Sequence, residues 1–78
     1  MTDITFDQEL DCQGYLCPLP IVKTQQAIST LSPGQVLRLL ATDKGSVGDV
    51  QAWARQTGNE LLAHSEENGV LTYYLKKN

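Results

Sequence analysis

The run with the most chemistry in it is Cys17-Pro18-Leu19-Pro20, which follows a loop and opens a stretch of helical periodicity. Cys17 stands where a helix-capping residue belongs. Pro18 suits the first helical position, whose N–H has no intrahelical partner in any case. Unpaired N–H groups and the positive end of the helix dipole surround such a position and favour a thiolate over a thiol. The thiolate is the nucleophilic form of cysteine. Pro18 and Pro20 fix φ at two of the first three helical residues and hold the sulfur in a defined place. They also remove two donors, which leaves the Leu19 N–H as the favoured direct partner of the sulfur.

One exposed cysteine of low pKa serves thiol exchange, acyl transfer or sulfur transfer. A dithiol oxidoreductase normally shows Cys-x-x-Cys with the second thiol inside the first turn of the helix. Here the second cysteine, Cys12, lies upstream with four residues between. A cysteine hydrolase needs a base, and the one histidine, His64, falls within a predicted strand. A zinc site needs a fourth ligand beyond Cys12, Cys17 and His64. Transfer of a sulfur atom carried as a persulfide needs none of these additions, and no metal or organic cofactor.

Cys12 itself has two readings. It is a buried small hydrophobe, or a resolving thiol able to close on an oxidised Cys17. His64 reads as a strand residue without a catalytic role, Trp53 as core, and Asp43, Lys44 and Asp49 as turn and cap residues. On the helical wheel Leu19 and Val22 lie away from the core face, one turn apart, with Lys23 at their edge. Two exposed apolar side chains beside a reactive thiol form a candidate docking surface for a protein partner. The competing reading is a pair of scattered surface hydrophobes.

The elements that must position the thiol follow from periodicity. Residues 4–10 alternate with a period of two, Ile4, Phe6 and Leu10 on one side, and predict a strand. Asp11 to Leu16 forms a connection with Gly14 as its flexible point. From Pro18 to Leu31 a helix is predicted, with Ile21, Thr24, Ala27, Ile28 and Leu31 on one face and Ser32-Pro33-Gly34 as its stop. Gln35 to Thr42 is a mostly apolar strand suited to the interior of a sheet. Ser46 and Asp49 have capping-box spacing. They open a second helix that carries Val47, Val50, Trp53, Ala54 and Thr57 on one side and ends at Gly58. Glu60 to Glu66 and Val70 to Lys76 are strands joined by Asn68-Gly69, a pair favoured in tight hairpins. The order is βαβαββ. The simplest compact answer is an α/β two-layer sandwich, with two helices on one face of a mixed four-stranded sheet.

Composition bounds the rest. The chain has 78 residues, 41% hydrophobic and 19% charged, which suits a single soluble domain over 1–78. Six Lys and Arg against nine Asp and Glu leave a net charge of −3. That balance argues against direct nucleic-acid binding, which needs clustered positive charge. No apolar run approaches the roughly 20 residues of a membrane span, and the N-terminus lacks the features of a signal peptide. The expected location is the cytoplasm. Two cysteines so close in sequence would constrain little of the unfolded chain, and a reducing compartment would keep them apart.

These residues carry a family resemblance. Leu10-Asp11-x-x-Gly14-x-x-Cys17-Pro18-x-Pro20 resembles the signature of the TusA/SirA-like sulfur carrier proteins. The similarity runs from Leu10 through Lys76 and includes Ser32-Pro33-Gly34, Ala41-Thr42-Asp43 and Thr57-Gly58-Asn59-Glu60-Leu61. The resemblance implies a sheet of order 1-2-4-3 with strand 4 antiparallel to the others, similar to the C-terminal domain of bacterial translation initiation factor three. It implies that Cys17 accepts sulfur as a persulfide. Donors would be cysteine desulfurases or rhodanese-like proteins, and acceptors would include DsrE-type relay proteins. The end uses would be tRNA thiolation, molybdenum cofactor biosynthesis or sulfur-compound oxidation. Leu19 stands where several tRNA-thiolation members carry a charged residue, and the segment Ala41 to Leu62 is most similar to members from sulfur-oxidising bacteria. The rival readings are a non-catalytic interaction module, a thiol–disulfide protein using Cys12 and Cys17, and a role in thiosulfate uptake or breakdown.

Overall fold

The structure, a computed structural model, describes residues 4–16 and 19–78, with Leu19 and Pro20 described in backbone course only. The elements are β1 (Gln8–Cys12), α1 (Leu19–Ile28), β2 (Val36–Ala41), α2 (Ser46–Thr57), β3 (Glu60–Glu67) and β4 (Val70–Lys76). The sheet has the order β1-β2-β4-β3. β1 runs parallel to β2, and β4 is antiparallel to both of its neighbours, β2 and β3. This is the expected βαβαββ sandwich with its mixed sheet.

Alternation in the central strands decides which face is covered. Leu37, Leu39 and Ala41 of β2 lie opposite Leu75, Tyr73 and Leu71 of β4, and all six are buried. Ala27 and Ile28 of α1 and Val50, Trp53 and Ala54 of α2 join them in one core, so both helices cover the same face. The predicted stripe is observed, with Thr24, Ala27 and Ile28 buried and Ile21 and Leu31 packed on the margin. The helix itself ends at Ile28 rather than Leu31, where i→i+3 bonds from Thr30 and Leu31 tighten the chain into a turn. A hydrogen bond that the sequence did not announce links the helices, from Trp53 Nε1 to Gln25 Oε1 at 2.9 Å. Lys77 Nζ reaches the Ile28 carbonyl at 3.0 Å, placing a cation at the C-terminal end of α1, where the helix dipole favours it.

β1 differs from expectation. It spans Gln8–Cys12 rather than residues 4–10, because its ladder with β2 starts where Asp7 bends the chain. The Asp7 N–H donates to the Val36 carbonyl, and the Asp7 carboxylate accepts the Val36 N–H, both at 2.8 Å. The bend sends Phe6 to the opposite face from Leu10. There its ring lies 5.3 Å from the Arg38 guanidinium and 6.4 Å from the Tyr74 ring. Arg38 also pairs with Glu9 at 3.2 Å.

The capping box at Ser46 does not form. The residue before α2, Gly45, is already helical in its dihedrals, and no side chain caps the helix. The turn is made by Asp43, whose carboxylate accepts the Gly45 N–H and whose carbonyl accepts the Ser46 N–H. Ser46 is buried, and its hydroxyl pairs with the Tyr73 phenol at 2.8 Å. A buried phenol requires such a partner, and this need outweighs the cap. At the other end Gly58 adopts φ +76, as a left-handed C-cap demands. Asn68 and Gly69 both have positive φ, as the predicted tight hairpin requires.

The Ser46–Tyr73 pair gives a direct test. Ser46→Ala strands a buried phenol and is expected to cost about 1–3 kcal/mol in urea unfolding. Adding Tyr73→Phe should recover part of that loss, and strict additivity would show that the pair carries no coupling.

Candidate functional site

The site is built from the end of β1 onward. Leu10 pairs with Leu39 and packs against the core, and Cys12 pairs with Ala41 at the end of the ladder. After Cys12 the chain turns at once. The Tyr15 N–H donates to the Cys12 carbonyl at 3.1 Å, and Gly14 holds φ +87, the left-handed third residue that such a turn needs. The Asp11 carboxylate accepts the Gln13 N–H at 3.0 Å. Leu10-Asp11-x-x-Gly14 is therefore a core anchor, a turn-capping carboxylate and a glycine that supplies positive φ. One further bond ties this turn to the body of the protein: the Gly14 N–H donates to Thr42 Oγ1, just beyond β2, at 2.9 Å.

Cys17 and Pro18 lie outside the described residues, so the expected cap and first helical position fall there too. In sequence Cys17 stands two residues ahead of Leu19, where α1 begins. Pro20 occupies the second position of that helix. The first turn of α1 holds no acidic residue, so no carboxylate there offsets the positive end of its dipole. Lys23 lies one turn further on, its Nζ 5.4 Å from the centre of the Tyr15 ring. This contact fastens the loop to the helix and keeps a positive charge on that side of it.

Among the described residues, exposed apolar side chains come from both the loop before α1 and the helix itself. Val22 is 46% exposed, as the helical wheel predicted, while Lys23 is half-buried. Sequence periodicity missed Tyr15 and Leu16, which are exposed at 39% and 73%, because a loop has no period from which outward-facing positions can be read. A large apolar residue next to the candidate nucleophile Cys17 in sequence was the available signal.

Cys12 is a free thiol with no exposed surface, in the core on the helix side of the sheet. Burial pushes its pKa up; nearby Lys23 pulls the other way and Asp11 adds to the rise. These features suit a packed thiol in the resting fold. Trp53 is core, and exposed His64 stacks 6.1 Å from the Tyr73 ring. Among the described residues, no group of three or more His, Cys, Asp and Glu is placed to hold a metal ion.

A βαβαββ order with a mixed sheet of order β1-β2-β4-β3 and both helices on one face defines a small two-layer α/β sandwich. A solved structure of a SirA-like protein from Desulfitobacterium hafniense shares the fold, with a TM-score of 0.80 at 24% identity over 90% of this chain and 96% of that one. The family model described as sulfurtransferase TusA matches residues 8–77. The sulfur carrier protein TusA of Allochromatium vinosum is 51% identical over 72 residues, 92% of this chain and 95% of its own length. A longer putative sulfur carrier protein of Bacillus subtilis, YrkF, is 47% identical over 68 residues, 87% of this chain but 37% of its own length. The chain belongs to the TusA family of sulfur carrier proteins.

The raised thiol of Cys12 makes a pH prediction. A group whose folded pKa is raised contributes its stability in full below its unfolded value, about 8.5 for cysteine. That contribution is lost as pH rises through the unfolded value toward the folded one. In a Cys17→Ser background the urea midpoint is expected to fall above about pH 8.5, and Cys12→Ala should flatten that fall. Tyr73, also pushed up by burial, should add a second decline at higher pH in both proteins.

Proposed function

We propose that the protein carries sulfane sulfur as a persulfide on Cys17, accepting it from one protein and delivering it to another. The observation that carries this reading is membership in the TusA family together with a cysteine two residues ahead, in sequence, of a helix whose first turn has no carboxylate. In the first step the Cys17 thiolate attacks the outer sulfur of a donor persulfide. The bond between the donor's two sulfurs breaks, and the donor leaves as a thiolate. In the second step an acceptor thiolate attacks the outer sulfur of Cys17-S-SH, and Cys17 leaves with the bonding electrons. A stabilised thiolate is the better leaving group, so the helix terminus assists release. The protein is thus a sulfurtransferase that works only through its partners. A cysteine desulfurase or rhodanese-like protein is the proposed donor, a DsrE-type relay protein the proposed acceptor and the cytoplasm the proposed location. Among the described residues no helix is long and apolar enough to cross a membrane.

Exposed Leu16 and Val22, with Tyr15 under Lys23, support partner docking near the start of α1. Leu19 completes the docking set proposed from the helical wheel.

Intact-mass spectrometry after exposure to a persulfidated sulfurtransferase tests the carrier reading. One added sulfur is expected on the wild type and on Cys12→Ser, removable by reductant and absent from Cys17→Ser. Loss of two hydrogens in place of a gain would favour thiol–disulfide chemistry. For docking, a Leu16→Ser/Val22→Ser variant should transfer sulfur about tenfold more slowly to the physiological acceptor, the scale of one interface anchor. Its Cys17 should still react with iodoacetamide at the wild-type rate; a parallel loss of both would sink the docking surface.

A further inference from the structure

Two observations converge on the turn between β1 and α1. Cys12, a nucleophilic side chain that the proposed cycle does not use, is fully buried at the end of β1. Only four residues separate it from Cys17, so chain length does not hold the two sulfurs apart once Cys12 leaves the core. A thiol tethered this closely acts at a high effective concentration, against which a free acceptor must compete.

Besides the Lys23 contact with the Tyr15 ring, the contacts of this turn among the described residues are few. The Asp11–Gln13 and Cys12–Tyr15 bonds are local to it. A side chain at Gly14 would find no atom within 4 Å, and both Tyr15 and Leu16 are exposed. The bond from the Gly14 N–H to Thr42 Oγ1 is different, because it joins residues 28 apart in sequence. It fastens the turn to the end of β2, one residue beyond Ala41, the register partner of Cys12.

We propose that Thr42 is a positioning residue for the sulfur-bearing loop: by holding the Gly14 amide it keeps Cys12 folded into the core and so protects the sulfur on Cys17 from discharge. The inference rests on the persulfide reading and adds to it a means of retaining the cargo. In the discharge that Thr42 prevents, the Cys12 thiolate attacks the inner sulfur, Cys17 Sγ. A Cys12–Cys17 disulfide bond forms, and the bond from Cys17 Sγ to the outer sulfur breaks. The outer sulfur departs with that electron pair as hydrosulfide. Two cysteine sulfurs are oxidised, the sulfane sulfur is reduced, and the Cys12 proton passes to solvent, so no further reactant is needed.

The test compares wild type, Thr42→Val, Thr42→Ser and Thr42→Val/Cys12→Ala, each loaded with sulfur and then freed of donor. Thr42→Val is expected to release hydrosulfide about fivefold to tenfold faster, the effect of one hydrogen bond on a local opening. Its mass should settle two hydrogens below that of the reduced chain. Thr42→Ser keeps the hydroxyl and should match wild type, and the double variant should retain its sulfur. Fast discharge that persists without Cys12, or no acceleration in Thr42→Val, would overturn the proposal.

A second readout is independent of sulfur loading. In a Cys17→Ser background, iodoacetamide should label Cys12 faster in Thr42→Val by a similar factor and at the wild-type rate in Thr42→Ser. Failure of the wild type to accept sulfur would count against the persulfide reading alone, whereas equal labelling rates would overturn the role of Thr42.

Discussion

Parallel pairing of Gln8–Cys12 with Leu37–Ala41 brings the ends of β1 and β2 to the same edge of the sheet, and each strand is followed by a helix. Parallel strands need a crossover, and the crossover helix must return over one face. The starts of α1 and α2 therefore open at that edge. Cys17, the proposed sulfur carrier, falls in sequence within one of these strand-to-helix connections, and Thr42 begins the other. Were β1 paired antiparallel to β2, the loop carrying the cysteine would have no neighbour to hold it.

The core serves this arrangement more than it serves size. Tyr73 and Leu75 of β4 belong to the core that both helices join, and the Tyr73 hydroxyl reaches Ser46 at the start of α2. The Trp53–Gln25 bond ties α2 to α1, and Lys77 holds the far end of α1. Each polar link fixes a helix at a point where packing alone would leave it free to slide. In a domain that buries so little, a few directed bonds set positions that a larger core would set by volume.

Polar demand also explains where local rules give way. Ser46 has the spacing of a capping residue, yet a buried phenol without a partner costs more than an unfilled cap, which water can serve. Its hydroxyl turns inward and Asp43 shapes the turn instead. Phe6 belongs by parity with Leu10, yet the Asp7 bend gives it to Arg38 and Tyr74 on the other face.

Much of the molecule was legible in the chain itself. The apolar period of α1, the alternation in β4, Asn68-Gly69 and Gly58 are local signals, and a local signal needs only the residues that carry it. The cysteine before a proline-bearing helix start belongs to the same kind, as does the family signature around it. What tertiary structure decided is long-range: the ladder that makes Cys12 the last residue of β1 and buries it, the Gly14–Thr42 bond, and the exposure of Leu16. Each depends on residues from another element or on a loop without period, and no window of sequence contains both sides of such a contact.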